Sequence, residues 1–136
     1  MSGATQGEVC IAGEGDIVTV RKTVREAAVH LGFGLTDVTR IVTAASELAR
    51  NVFHYADAGV MRWRVLEERG RTGLELVFAD QGPGIPDIAQ ALREGYSTAK
   101  GMGMGLPGAQ RLMDDFDIVS AIGRGTTVTV RKRRKT

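Results

Sequence analysis

The chain has a single cysteine, Cys10, in 136 residues. An intrachain disulfide and a multi-cysteine metal site are therefore both excluded. Long apolar runs are missing too. The longest near-apolar stretch, around residues 42–45, falls far short of the roughly 18 residues needed to cross a bilayer. No basic head followed by an apolar stretch opens the chain, so no signal peptide is visible, and a soluble, cytoplasmic protein is expected. Internal repeats and Pro- or Ser-rich linkers are also lacking. The length suits one domain over residues 1–136, with a core that needs no disulfide or metal staple.

A large net charge is absent as well, and the formal value of +2 conceals an asymmetry. Five of the 18 basic residues sit in the terminal RKRRKT (Arg131, Lys132, Arg133, Arg134, Lys135), so 13 face 16 acidic residues elsewhere and the body carries −3. A basic tail without interleaved aromatics or a recognisable module is poor evidence for nucleic-acid binding. The plainer expectation is a solvated end of the last strand.

What the chain has in plenty is glycine, 18 residues in all, against a usual share of about 7%. Between the glycines the periodicity is legible. Residues 8–12 suggest a short strand. Ile17, Val20, Val24, Ala27, Ala28 and Leu31 recur at steps of three and four, predicting an amphipathic helix with Asp16 as N-cap and Gly32 and Gly34 as its stop. A second helix follows Thr36 and runs to about residue 56, with Val38, Ile41, Val42, Ala45, Leu48, Ala49 and Val52 on its apolar face. Alternation over residues 60–67 and 74–79, around a turn at 69–73, predicts a hairpin. A short helix over 87–93, a glycine-rich loop over 95–105, a helix over 106–115 and strands at 116–121 and 126–132 complete the reading. Hairpin-linked strands with clustered helices imply α+β: an antiparallel or mixed sheet with helices on one face.

Four places carry possible chemistry. Glu47 and Asn51, spaced i,i+4 in SELARN, share one helix face. Asn is a neutral oxygen ligand suited to a hard cation such as Mg²⁺, and Glu could accept a proton from a hydroxyl or water; the plain alternative is a solvated pair. Asp80, with Gly82 and Gly84 in DQGPG, ends an apolar strand. There a carboxylate can accept from an exocyclic amine while the glycines admit a ligand close to the backbone; alternatively it is only a tight turn. Gly101, Gly103 and Gly105 lead into a helix N-terminus, a ready phosphate cradle. The GxxxxGK[ST] spacing is absent. Gly103, Gly105 and Gly108 satisfy G-x-G-x-x-G, but no strand precedes them and no βαβ unit follows, so a Rossmann reading is poor. Last, Thr126 in Gly125-Thr126-Thr127 could reach a base edge or a water, or simply open a strand.

In this order and spacing the four places resemble the GHKL ATPase/kinase superfamily. Its Bergerat-type nucleotide site combines an N-box (Glu47, Asn51), two glycine boxes (Asp80 to Gly84, and Gly101 to Gly105) and a final Gly-Thr element (Gly125, Thr126). The words SELARN, DQGPGIPDI and GLPGAQRLMDDF are most similar to the small bacterial serine/threonine kinases of the partner-switching type, the RsbT-like switch kinases of the stressosome. The resemblance spans nearly everything from Cys10 to Val130. It implies a two-layer α/β sandwich binding ATP and Mg²⁺. Glu47 would be the general base towards a substrate Ser or Thr, and Asn51 would hold Mg²⁺. Asp80 would bind the adenine amino group, with Gly82 and Gly84 shaping the pocket. Gly101, Gly103 and Gly105 would wrap the phosphates, Thr126 would support the adenine side, and residues 95–104 would form a short lid.

It further implies a protein kinase held by STAS-domain partners at rest. Under stress it would phosphorylate them, be released, and activate a PP2C-type phosphatase. An anti-sigma factor kinase that also binds a sigma factor is the alternative within the superfamily. A nucleotide-binding adaptor without kinase activity would not need Glu47. Lys100 could reach the γ-phosphate or point to solvent, and Arg50 could face substrate or nucleotide or make a surface pair. Ser97 and Thr98 are read as phosphate contacts or solvated hydroxyls. His54 is read as packing or hydrogen-bonding rather than catalytic, Trp63 as sheet packing, and Met102 and Met104 as lid packing.

Overall fold

The computed structural model describes residues 4–85 and 105–135. The strand β1 (Gln6–Ile11) leads into the helices α1 (Glu14–His30) and α2 (Leu35–Ala56). The hairpin β2 (Gly59–Glu68) and β3 (Arg71–Asp80) follows, then the helix α3 (Gly105–Leu112) and the hairpin β4 (Asp115–Ala121) and β5 (Gly125–Arg133). The expected short helix over 87–93 lies outside the described residues.

The strands form one sheet in the order β1-β2-β3-β5-β4, and every described pairing is antiparallel. No parallel pair enters because β5 returns beside β3 as the second arm of its own hairpin. The described helices pack on one face, as an α+β reading requires. Both predicted helix stripes are inward. Ile17, Val20, Val24 and Ala28 of α1, and all seven predicted positions of α2, are buried. Ala44 and Ser46 are buried as well, since α2 is covered by α1 on one flank and α3 on the other. Trp63 packs against this core, and His54 is exposed with its ring tilted against Phe53.

Two local expectations change. The α1 N-cap is Gly13, and Asp16 stands three residues in, where its Oδ2 accepts from the N–H groups of Ala12 at 2.8 Å and Gly13 at 3.1 Å. The carboxylate still satisfies orphan donors at a helix start, but by reaching back from the first turn. At the other end Phe33 N–H bonds Ala28 O and Gly32 N–H bonds Val29 O, a Schellman closure.

The terminal basic run is the larger correction: it is woven into the fold rather than solvated. The β5 strand extends to Arg133, and Lys132 faces the helices with only 7% of its surface exposed. Its Nζ donates to Leu112 O at 2.8 Å, at the C-terminal end of α3, and lies within 4 Å of Asp37 and Asp114. A cation suits that end of a helix, where carbonyls lack partners. Arg134 donates to Leu31 O.

The opposite face of the sheet carries a ladder of alternating charge. Glu75, itself 5% exposed, accepts from Arg64 Nε at 2.6 Å and from Arg131 Nε at 2.8 Å. Asp115 accepts from Arg133 at 2.6 Å. The Arg64 hydrogen bond, aided by Arg131, holds the Glu75 carboxyl below its ordinary value even though burial pushes the other way, and Arg133 does the same for Asp115. A depressed folded pKa stabilises above the unfolded value near 4.5 and loses that contribution as pH falls through the folded value. Glu75→Gln should therefore lower the melting temperature at pH 7 and flatten its decline towards pH 3. An unchanged pH profile in urea or thermal melts would remove Glu75 from the acid response.

Candidate functional site

The core face of the sheet reads in rows across the strands. Met61, Phe78, Val128 and Ile118 stand in register, as do Trp63, Leu76, Val130 and Phe116. Two residues along each strand, and so on the same face, the next row is Gly59, Asp80, Thr126 and Ser120. The apolar core thus ends in a polar row where β3 finishes and β5 begins. Gly59 leaves room for α2 there, since a Cβ would lie 2.6 Å from Val52 Cγ1.

Asp80 organises this row. Its Oδ1 accepts from the backbone N–H of Gly82 at 2.9 Å, closing a turn onto its own chain, and from the N–H of Thr126 at 3.2 Å. Among the described residues no donor takes Oδ2. Above the row lies a narrow cleft, with Leu48, Asn51, Asp80, Gly84, Leu106 and Thr126 among its walls. The Asn51 amide nitrogen is buried and has no hydrogen-bond partner within the described residues. An unmet buried donor costs roughly 1–3 kcal/mol, and a native site that retains one is expected to use it.

Two glycines are required by geometry. Gly125 has φ +92°, and a Cβ there would fall 2.1 Å from Asp80 O. Gly84 has φ +85°, and its Cβ would meet Ala121 O at 2.3 Å. The loop carrying Gly84 is held against the β4–β5 turn, where Gly123 N–H bonds Pro83 O at 2.9 Å.

The structure thus brings Asn51, Asp80, Gly84 and Thr126 to one cleft, with Gly82 supporting Asp80 from behind. Gly105 is the first residue of α3, directly before Leu106 in the cleft wall. Gly101 and Gly103 lie outside the described residues, as do Lys100, Ser97, Thr98, Met102 and Met104. Glu47 is not in the cleft wall. It stands one helical turn before Asn51, and its Oε2 accepts from Arg50 Nη1 at 3.2 Å, so Arg50 makes the surface pair. Sequence reasoning missed Ser120, whose Oγ lies 2.7 Å from Thr126 Oγ1. Its signal was the alternation Phe116, Ile118, Ser120, in which a polar residue takes an inward position.

Residues 12–132 match the family described as the histidine kinase-like ATPase domain. The chain belongs to that family. It is 48% identical over 123 residues to the serine/threonine-protein kinase RsbT of Bacillus subtilis, covering 90% of this chain and 92% of that protein. It is 29% identical over 119 residues to an anti-sigma F factor of Geobacillus kaustophilus, covering 82% and 80%. By structure it resembles a chain of the SiaB–SiaC complex from Pseudomonas aeruginosa, with a TM-score of 0.54 at 10% identity over 94% of this chain and 88% of that one. The last likeness concerns the fold alone. The expected enzyme class, a protein serine/threonine kinase, is the class named for the 48%-identical relative.

Gly125→Ala should cost more than about 2 kcal/mol, because it combines a disfavoured φ with a clash onto the strand that holds Asp80. Chemical denaturation checks this, and a change under about 0.5 kcal/mol, the range of an ordinary surface substitution, would mean the β3–β5 junction yields easily.

Proposed function

We propose that this protein is an ATP- and Mg²⁺-dependent serine/threonine kinase that phosphorylates a STAS-domain antagonist in a partner switch, and that it then activates a PP2C-type phosphatase once released. One observation carries the nucleotide part. A carboxylate with one oxygen pinned by two backbone N–H groups lines a cleft, together with an amide whose buried nitrogen lacks a partner among the described residues. Such an acceptor suits the exocyclic amine of adenine. Nearly full-length similarity to a named serine/threonine kinase supports the transfer step.

The roles carry over from the resemblance, and the geometry is compatible with them. Asp80 and Thr126 hold the base against the apolar wall of Leu48, Phe78 and Val128. The start of α3, entered through Gly101, Gly103 and Gly105, would receive the phosphates at the positive end of a helix. Asn51 would hold Mg²⁺ through its amide oxygen, and a hard cation with few protein ligands fits such a neutral oxygen donor. When bound, the metal neutralises charge on the transferring phosphoryl group. Glu47, at the outer end of the same helix face, accepts the proton of the substrate hydroxyl after exchanging its Arg50 pair for that hydroxyl. This position outside the cleft wall suits a base that meets a protein substrate arriving from solvent. A cytoplasmic setting belongs to the same reading. Among the described residues no helix is long and apolar enough to cross a membrane.

An anti-sigma factor that also binds a sigma factor is the second reading, favoured by the 29%-identical relatives of that name. The 48% identity to the kinase ranks it below the first. A pull-down with sigma factors separates the two.

The test is transfer of labelled γ-phosphate from Mg-ATP to a STAS-domain protein. Glu47→Gln should keep ATP affinity and lose transfer by about 10²–10⁴-fold; normal transfer would sink the general-base role. Asn51→Ala should abolish Mg²⁺-dependent transfer. Asp80→Asn should weaken ATP binding about tenfold or more, as loss of a charge-assisted hydrogen bond does. Unchanged affinity by calorimetry would move the adenine contact elsewhere.

A further inference from the structure

Ser120 is bonded more fully than a strand hydroxyl needs to be. Its Oγ accepts from Ile85 N–H at 2.7 Å, lies 2.7 Å from Thr126 Oγ1 and 3.3 Å from Gly125 O. A serine hydroxyl has one hydrogen and two lone pairs, and these contacts leave two arrangements. If Ser120 donates to Gly125 O, Thr126 must donate back to Ser120, and only the lone pairs of Thr126 face the cleft. If Ser120 donates to Thr126, the hydrogen of Thr126 is free for the cleft. The second arrangement sacrifices only the 3.3 Å contact, which is long for an O–H donor. It keeps both 2.7 Å contacts.

We propose that Ser120 is a specificity-determining residue that sets the hydrogen-bond polarity of Thr126, and so selects an adenine over a guanine nucleotide. The inference rests on the nucleotide reading above and adds to it the source of base choice. With Ser120 donating, the polar row offers an acceptor at Asp80 Oδ2 and a donor at Thr126 Oγ1. Adenine presents the complement on adjacent atoms, the donor N6–H and the acceptor N1. Guanine presents the reverse, an O6 acceptor towards the carboxylate and an N1–H towards a hydrogen. Asp80 cannot change sign while ionised, but a hydroxyl rotates freely, so half of the discrimination depends on what fixes Thr126. Its side-chain hydroxyl has one described hydrogen-bond partner, Ser120. Ser120 acts through Thr126 and need not touch the base.

The measurement is the ratio of ATP to GTP affinity by calorimetry on the full chain. Ser120→Ala should reduce the preference for ATP by about fivefold to tenfold, the size of one net hydrogen bond. Ser120→Thr, which keeps the hydroxyl, should hold the ratio near wild type. In a Thr126→Val background, Ser120→Ala should leave the ratio unmoved, because the two residues act as one unit. Loss of the Ile85 and Gly125 contacts alone would weaken both nucleotides together. An equal loss for ATP and GTP, or no change in the ratio, would therefore overturn the inference while leaving the nucleotide reading intact. Failure of wild-type protein to bind either nucleotide would overturn the nucleotide reading instead. If Ser120→Ala does not fold, the comparison of Ser120→Thr with Ser120→Cys decides it. Cysteine is a weak donor, so the ratio should fall only there, and equal ratios would reject the role.

Discussion

One carboxylate oxygen holds the working end of this fold together. Asp80 Oδ1 receives a hydrogen bond from the turn that leaves β3 and another from the start of β5. The two strands are neighbours in the sheet yet separated by 44 residues of chain, so the contact converts a sequence of remote segments into one cleft wall. The closeness demands Gly125 behind it, where any side chain would strike the Asp80 carbonyl. The second carboxylate oxygen takes no donor among the described residues, so the same group is a structural tie and, in the proposed function, the acceptor for the base.

The two faces of the sheet divide stability from chemistry. The outer face spends its side chains on charge, with Glu75 between Arg64 and Arg131 and Asp115 under Arg133. An antiparallel sheet can leave such a face to water, and these paired rungs also occupy much of the basic terminal segment. Apart from Lys132 at its far end, the inner face is apolar until its last row, where Asp80, Thr126 and Ser120 replace aliphatic residues. The Asn51 amide nitrogen, buried and without a partner among the described residues, adds a fourth polar group above that row. Asn51, Asp80 and Thr126 line one cleft, and the unpartnered amide nitrogen among them is the physical argument for a ligand there.

Glu47 stands apart from this cluster in a way that suits the proposed reaction. Base recognition needs a walled pocket, whereas a protein hydroxyl must approach from outside. In the proposed function α2 serves both needs, because one turn separates the Asn51 amide nitrogen, which is buried, from the Glu47 side chain, which is 36% exposed. The same helix is clasped by α1 and α3, so the spacing between the two residues is fixed by a rigid element rather than by a loop.

Much of the fold was legible in the residues. Apolar positions at steps of three and four gave both long helices, and alternation around Gly-containing turns gave both hairpins, because those periods report local geometry. The site was legible as a set of words, since SELARN, DQGPG and Gly125-Thr126 carry residue types that fit nucleotide chemistry. Three things were not. Lys132 read as part of a solvated tail, but its burial depends on α3 placing the Leu112 carbonyl above it. Asp16 read as an N-cap, but the helix begins earlier and the carboxylate reaches back. Ser120 carried no motif, and it matters only because β4 pairs in register with β5, opposite Thr126. The sequence by itself determined the elements and the candidate chemistry, through short-range periodicity and residue type. The tertiary structure alone decided which polar groups meet, because strand register and helix docking join residues that lie far apart along the chain.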